Sequence, residues 1–268
     1  MITTDAVHGS PCWLDLGAPD IQAAADFYRA VFGWEYQSFG PEAGGYGALR
    51  KDGKAVAALG ALSEEGARSA WMVYFRTDDA AATADAASRA GGAVRVAPTA
   101  MGEWGSMAQL TDPQGAQFAV WQQGEQKSGL ERTDDAGSLG WIELFAPDAA
   151  AAKDFYRDLF GWQYQEMPLP GNADMTYTLI TPAGRPPERM HGGLMQLSAD
   201  QLQHMGGKAY WHPVFGVEDC DATVETVRGN GGTVMMGPED TEGVGRLAVC
   251  TDPSGAEFVV LKPVAESS

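Results

Sequence analysis

The chain of 268 residues carries 36 Asp and Glu against 18 Lys and Arg, a formal net charge of −18. Such a charge repels phosphate backbones and anionic lipid, so no nucleic acid and no membrane surface is expected as a partner, and no run approaches the roughly 20 apolar residues of a membrane span. The length suggests two domains, and 44% hydrophobic residues can fill their cores.

The first residues, MITTDAVHGSPCWLDLG, show no basic segment followed by an apolar one. Cys12, Cys220 and Cys250 have no CxxC spacing and fit reduced thiols, so a cytoplasmic protein is expected. From Trp13, WLDL alternates apolar and polar residues and predicts a strand with one wet face. Asp20 then reads as the N-cap of an Ala-rich, 3.6-periodic helix that ends at FG. Residues 34–62 predict two or three strands separated by Gly-rich turns. A second unit follows: strand WMVYFRTDD, helix AAATADAASRAGG, and strands around AVRVAP, SMAQLTD and AQFAVWQ. A Gly/Ser/charged linker at 124–138 separates this first domain (1–123) from a second (139–268).

The second domain repeats the first. WLDLGAPD…FYRAVFGWEYQ returns as WIELFAPD…FYRDLFGWQYQ at an offset of 128, and TDPQGAQFAVW returns as TDPSGAEFVVL at an offset of 140. The second half therefore carries 12 extra residues between Gln165 and Trp211, expected as loops within MPLPGNADMTY, TPAGRPPERMHGG and SADQLQHMGGK. Loops added to one copy of a duplicated domain serve function more often than stability, which predicts the more specialised pocket in the second half. Each half divides again into two β-α-β-β-β units, giving an α+β chain of four tandem βαβββ modules with curved mixed sheets.

These modules, the FY…FGW signature and the late DPxGxxF turn resemble the vicinal oxygen chelate superfamily, which includes glyoxalase I, bleomycin-resistance proteins and extradiol dioxygenases. More narrowly, PCWLDL…FY…FGW with a later GW.EL…FY…FGW is similar to two-domain, glyoxalase-like actinobacterial proteins labelled hydroxylases. The resemblance covers residues 9–263 and implies two glyoxalase-like domains. It also implies a metal site with ligands early in a module's first strand and a Glu in its last. Here those positions hold Trp13, Met72, Trp141 and His212, then Ala119 and Val259, and His212 alone can bind a metal. No cofactor is expected. A divalent metal remains an alternative with an incomplete ligand set, drawing on His191, His204, His212, Glu143, Glu188 and Glu257; His191 and His204 otherwise read as exposed loop residues.

By alternation, the concave faces present Trp13, Asp15, Met72, Tyr74, Gln117, Ala119 and Trp121 in the first half. In the second they present Trp141, Glu143, His212, Val214, Glu257, Val259 and Leu261. Such a lining suits a planar, apolar or aromatic small molecule. Glu143 and His212 are the expected catalytic residues, taken to project into one pocket for acid–base work; Asp15 stands at the position equivalent to Glu143. In another arrangement found in the superfamily, modules from different halves share a cavity. Three functions follow from the resemblance and these residues. The first is a metal-independent enzyme of secondary metabolism acting on a polyketide-like substrate by cyclisation, isomerisation or hydroxylation. The second is a drug- or metabolite-sequestering protein, and the third a divergent metal-dependent lyase or dioxygenase. A monomer or homodimer is expected.

Other motifs have structural readings. DPQG and DPSG are turns, Trp34 and Trp162 pack helix ends onto sheets, and the Gly91-Gly92 and Gly231-Gly232 pairs end helices. No cysteine stands beside a His as a nucleophile would, and no GxSxG elbow is present.

Overall fold

The computed structural model describes residues 1–62, 66–169 and 172–264. Pro170 and Gly171 of the predicted insertion, and the last four residues of the second predicted domain, lie outside the described residues. Four βαβββ modules follow one another. The first is β1 (Pro11–Ala18), α1 (Ile21–Phe32), β2 (Glu35–Ser38), β3 (Gly47–Lys51) and β4 (Lys54–Ala61). The second is β5 (Ala70–Thr77), α2 (Ala80–Arg89), β6 (Ala93–Ala100), β7 (Gly105–Thr111) and β8 (Gln117–Gln123). The third is β9 (Leu139–Ala146), α3 (Ala149–Phe160), β10 (Gln163–Leu169), β11 (Asn172–Thr181) and β12 (Gly192–Gln196). The fourth is β13 (Tyr210–Gly216), α4 (Cys220–Gly229), β14 (Thr233–Thr241), β15 (Gly245–Thr251) and β16 (Glu257–Pro263). No described helix is long and apolar enough to cross a membrane.

The local chemistry is what the sequence predicts. Asp20 and Asp148 cap their helices by accepting from Ala23 N and Ala151 N, both at 3.0 Å. Gly33 and Gly161 end α1 and α3 at φ 69°, a left-handed conformation that glycine adopts without a Cβ clash. In each module the first strand pairs parallel with the last, and the remaining pairs are antiparallel. The ladders run β2-β3-β4-β1, β6-β7-β8-β5, β10-β11-β12-β9 and β14-β15-β16-β13.

The compact units do not follow the repeat. One comprises Met1–Cys12, Met72–Gly129 and Trp141–Trp211, in essence the second and third modules. The other comprises Trp13–Trp71, Leu130–Gly140 and His212–Ser268, the first and fourth. The repeated motifs explain this grouping. In the first of these units the phenol of Tyr156, from FY on α3, donates to Asp112 Oδ2 at 3.2 Å and accepts from Trp211 Nε1 at 2.9 Å. Asp112 opens the DPQG turn, and its other oxygen accepts from Gln114 N and Ala116 N at 2.8 and 2.9 Å. In the other unit Tyr28 Oη donates to Asp252 Oδ2 at 3.3 Å, and Asp252 Oδ1 holds the DPSG turn through Ser254 N and Ala256 N. FY and DPxG are thus halves of a latch that joins two modules. Burial pushes the carboxyls of Asp112 and Asp252, and the phenols of Tyr156 and Tyr28, above their usual ranges.

The tryptophans after FG close the same cores. Trp162 stacks on Tyr156 with ring centroids 5.0 Å apart and donates to Gly9 O at 2.7 Å; Trp34 stacks on Tyr28 at 5.5 Å and donates to Gly137 O at 2.8 Å. The segment read as a linker is exposed at 124–127 and anchored further on. Leu130 is buried, and Glu131 Oε2 accepts from Ala55 N at 2.7 Å and Arg50 Nη1 at 3.0 Å.

Strand register divides the 12-residue surplus. Glu35 pairs with Arg50 and Gln163 with Thr181, so the offset grows from 128 to 131 across the β10–β11 hairpin. Asp15 pairs with Ala58 and Glu143 with Gly193, which brings it to 135 at β12. Three extra residues therefore lie in the hairpin, four between β11 and β12, and five between β12 and β13. The expectation of loops needs correction at the first of these places. MPLPGNADMTY is mostly strand, because the hairpin is lengthened rather than looped out: β10 has 7 residues where β2 has 4.

Candidate functional site

Along β9 the residues alternate as predicted. Ile142, Leu144 and Ala146 are buried at 0–1% exposure, while Trp141, Glu143 and Phe145 share a half-buried face. On that face Tyr177, from β11, donates to Glu143 Oε1 at 2.6 Å and accepts from Trp141 Nε1 at 2.9 Å. Burial first, and then the Glu143 carboxylate, push the Tyr177 phenol well above its usual range, so it stays a protonated donor. The ring reaches Glu143 only because Gly193, the register partner of Glu143, has no side chain: a Cβ there would stand 1.9 Å from Tyr177 Oη. Further along the face Phe145 meets Tyr210 edge-on at 5.6 Å, and Tyr210 Oη lies 3.3 Å from His204 Nε2, in the loop with five surplus residues.

The other unit holds the counterpart. Tyr46 Oη donates to Asp15 Oδ1 at 2.7 Å, and Trp13 Nε1 donates to Asp15 Oδ1 at 2.8 Å and to Tyr46 Oη at 3.2 Å. Burial and the Asp15 carboxylate again push the phenol up. Tyr46 and Tyr177 are register equivalents, 131 residues apart. The sequence reading missed both, because the single offset of 128 misaligns them; the readable signal was Tyr followed by an apolar strand, YGAL and YTLI.

That second unit also holds His212, fully buried on β13, with its Nδ1 2.8 Å from Glu257 Oε1 on β16. A carboxylate accepting at that nitrogen places a proton on Nδ1. Glu143 and His212 thus belong to different units. Of the remaining predicted lining, Tyr74 pairs with Ala119 and Val214 with Val259, all four buried. Met72 is half-buried, Trp121 is half-buried with Nε1 donating to Ser128 Oγ at 3.0 Å, Leu261 is half-buried, and Gln117 is exposed.

His191 corrects an expectation. Read as an exposed loop residue, it is 1% exposed, edge-on to Trp162 at 5.3 Å, with neither ring nitrogen hydrogen-bonded among the described residues. Burial, and secondarily the N-terminal ammonium, lower its pKa to about 3. The thiols of Cys12, Cys220 and Cys250 are buried and pushed up to about 12, 11 and 12, which removes them as nucleophiles.

The residues do not fit the metal that the resemblance implies. The ligand positions hold one imidazole among indole, thioether and aliphatic side chains, and among the described residues no group of three or more His, Cys, Asp or Glu is placed to hold a metal ion.

The chain is 37% identical to the anthracycline biosynthesis protein DnrV of Streptomyces peucetius over 95% of this chain and 93% of that one. It is 36% identical to DauV, also an anthracycline biosynthesis protein, of Streptomyces sp. strain C5 over the same shares. The 2,3-dioxygenase LapB from Pseudomonas sp. KL28 shares the fold at a TM-score of 0.63 and 15% identity, covering 98% of this chain and 96% of that one. The model of the Glyoxalase/Bleomycin resistance protein/Dioxygenase superfamily matches residues 12–120 and 138–260, once over each repeat, and the chain belongs to that superfamily.

Proposed function

We propose that the protein is an enzyme of secondary metabolism that moves protons on a planar, hydroxylated aromatic substrate of the polyketide type, with Glu143 as general base. The observation that carries this reading is the Trp141–Tyr177–Glu143 chain, in which a phenol that keeps its proton orients a carboxylate on a half-buried aromatic face. A carboxylate held this way can take a proton from a phenolic O–H or an acidified C–H, leaving the electron pair on the substrate as phenolate or enolate. The carboxylic acid so formed returns the proton elsewhere in an isomerisation or cyclisation. Trp141 and Phe145, on the same face of β9, supply aromatic surface for the rings, and the names of the anthracycline relatives support a substrate of this class.

The test uses 1,8-dihydroxyanthrone, whose C10–H is acidic. Hydrogen–deuterium exchange at C10 should be accelerated by the wild-type protein, and Glu143→Gln should lower that acceleration by about 10²–10⁴-fold with binding retained. Gly193→Ala, which displaces Tyr177, should lower it in the same direction. If Glu143→Gln and Gly193→Ala both leave the exchange rate unchanged, the catalytic assignment is wrong. A second reading, sequestration of a drug or metabolite, is favoured by the charge of −18, which attracts cationic ligands. Tight binding with no exchange in any variant would establish it.

A further inference from the structure

The first nine residues recur, at the offset of 128, as the segment ending at Gly137, each in its own compact unit. Ile2, Gly9 and Ser10 correspond to Leu130, Gly137 and Ser138. Ile2 and Leu130 are buried, and Gly9 and Gly137 both turn at φ 75°. Their carbonyls accept from Trp162 Nε1 at 2.7 Å and from Trp34 Nε1 at 2.8 Å. Each segment is therefore a strap, pinned at one end by an aliphatic side chain and at the other by a buried indole. What the straps adjoin differs. In the second, Glu131 N donates to Ala55 O at 2.8 Å, Glu131 Oε2 accepts from Ala55 N, and the next residue, Val56, is fully buried. In the first, the Met1 ammonium donates to Glu188 O, and Arg189 Nη2 donates to Thr3 Oγ1 at 2.8 Å and to Asp5 O at 3.0 Å. Two residues on stands His191, which the offset of 135 at β12 makes the counterpart of Val56.

A buried imidazole with both nitrogens unpartnered among the described residues carries a desolvation cost that the aliphatic Val56 avoids. We infer that residues 1–9 form a proton-operated strap: acid charges His191, and the charged ring is relieved when the strap lifts off Trp162 and the 188–191 segment. The charged groups around the ring favour this. From the strap, the Met1 ammonium acts on the imidazole and repels it once charged. On the ring's own segment, Arg189 adds a second positive charge beside Glu188. Trp162, edge-on to the ring, and Tyr156, stacked on that indole with its phenol kept protonated, bring no charge. His8 works the other way: when charged it faces Asp78 at 3.8 Å and holds the strap down. With the strap closed, burial and then the ammonium lower His191 to about 3, whereas a lifted strap returns it to near 6.5. Acid therefore loosens the strap below about pH 6.5, and opening grows about 30-fold between pH 7.5 and pH 5.

Amide hydrogen exchange, corrected for intrinsic rates, reads both straps in one molecule. Val7 N, Gly9 N and Ser10 N donate to Ser10 Oγ, Arg76 O and Val7 O at 2.8–2.9 Å. Asp135 N, Gly137 N and Ser138 N donate to Ser138 Oγ, Gly216 O and Asp135 O at 2.8–3.0 Å. In the wild type, protection of the first three amides should fall about 30-fold from pH 7.5 to pH 5, while that of the second three holds. His191→Val, which installs the counterpart residue, should abolish the fall. Ile2→Ala, which weakens the pin and leaves the imidazole, should lower protection at both pH values and keep their ratio. A flat first strap in the wild type, an equal fall in both straps, or a fall that survives His191→Val overturns the inference.

Discussion

His191 is the residue whose environment departs furthest from what its position in the chain suggests. It sits between β11 and β12, beside four surplus residues, yet it is sealed against Trp162 with both nitrogens stranded and a pKa lowered to about 3. An unfolded His titrates near 6.5, so between about pH 6.5 and 3 the unfolded chain binds the extra proton, and this residue's contribution to stability falls as the pH falls through that window. At pH 5 the loss is ~2 kcal/mol relative to pH 7.5. His191→Leu removes the stranded nitrogens and the titration together. Urea unfolding should show it ~1 kcal/mol more stable at neutral pH and less pH-dependent between pH 5 and 7; an unaltered slope would mean that other groups govern acid sensitivity. Side-chain burial of this kind is not written in the sequence, since a His in the connection between two strands has no periodicity to betray it. Asp15 and Glu143 were legible because each follows a Trp at the same spacing on a short alternating strand. The phenols that hold them were not, since they come from hairpins whose lengths differ by three residues.

At the scale of elements, the repeated motifs act as pairs rather than one by one. The capping aspartates, helix-ending glycines and strand alternation were readable because each needs only neighbours in sequence. The latch between FY and DPxG was not, because Tyr156 and Asp112 are 44 residues apart and Tyr28 and Asp252 are 224 apart. Each motif alone has a sufficient local explanation, a helix end or a turn. Their coupling has an energetic consequence: the Asp112 carboxylate is 3% exposed, and the Tyr156 phenol is a donor that it cannot replace with water. Tyr156→Phe keeps the stacking on Trp162 but strands that carboxylate oxygen and the indole N–H of Trp211. It should cost about 1–3 kcal/mol, a fall of several degrees in the melting temperature. Tyr28→Phe should act on Asp252 in the same direction. Calorimetry on both variants checks this, and unchanged melting temperatures would reduce the latch to incidental contact.

For the whole molecule, duplication and grouping are separate facts. The repeat divides the chain near residues 124–138, and the superfamily match falls on either side of that segment. The compact units instead join the second module to the third and the first to the fourth. Offsets of 128 and 140 reveal the repeat because sequence similarity survives in the strands. They carry no information on which module packs with which, since all four offer the same helix face to the same kind of strand. The burial pattern makes the consequence physical. Phe27, Tyr28 and Phe32 of α1 meet Phe258 on β16, and Phe32 also meets Phe215 on β13, so the first module's core is completed by the fourth. Phe118 on β8 likewise meets Phe155, Tyr156 and Phe160 of α3. Each buried aromatic side chain contributes about 1.5–3 kcal/mol, more than a domain of ordinary stability can forgo several times over. A chain ending at Gly129 should therefore not persist as a compact monomer. It should pair with a second copy of itself, second-module strands taking the place of the missing fourth module, or remain dye-binding and aggregation-prone until residues 130–268 are added. Light scattering of the two fragments, alone and mixed, distinguishes these outcomes. A monomeric 1–129 fragment with a cooperative thermal transition would show that the first half carries a self-sufficient core, and that the grouping across halves is dispensable for folding.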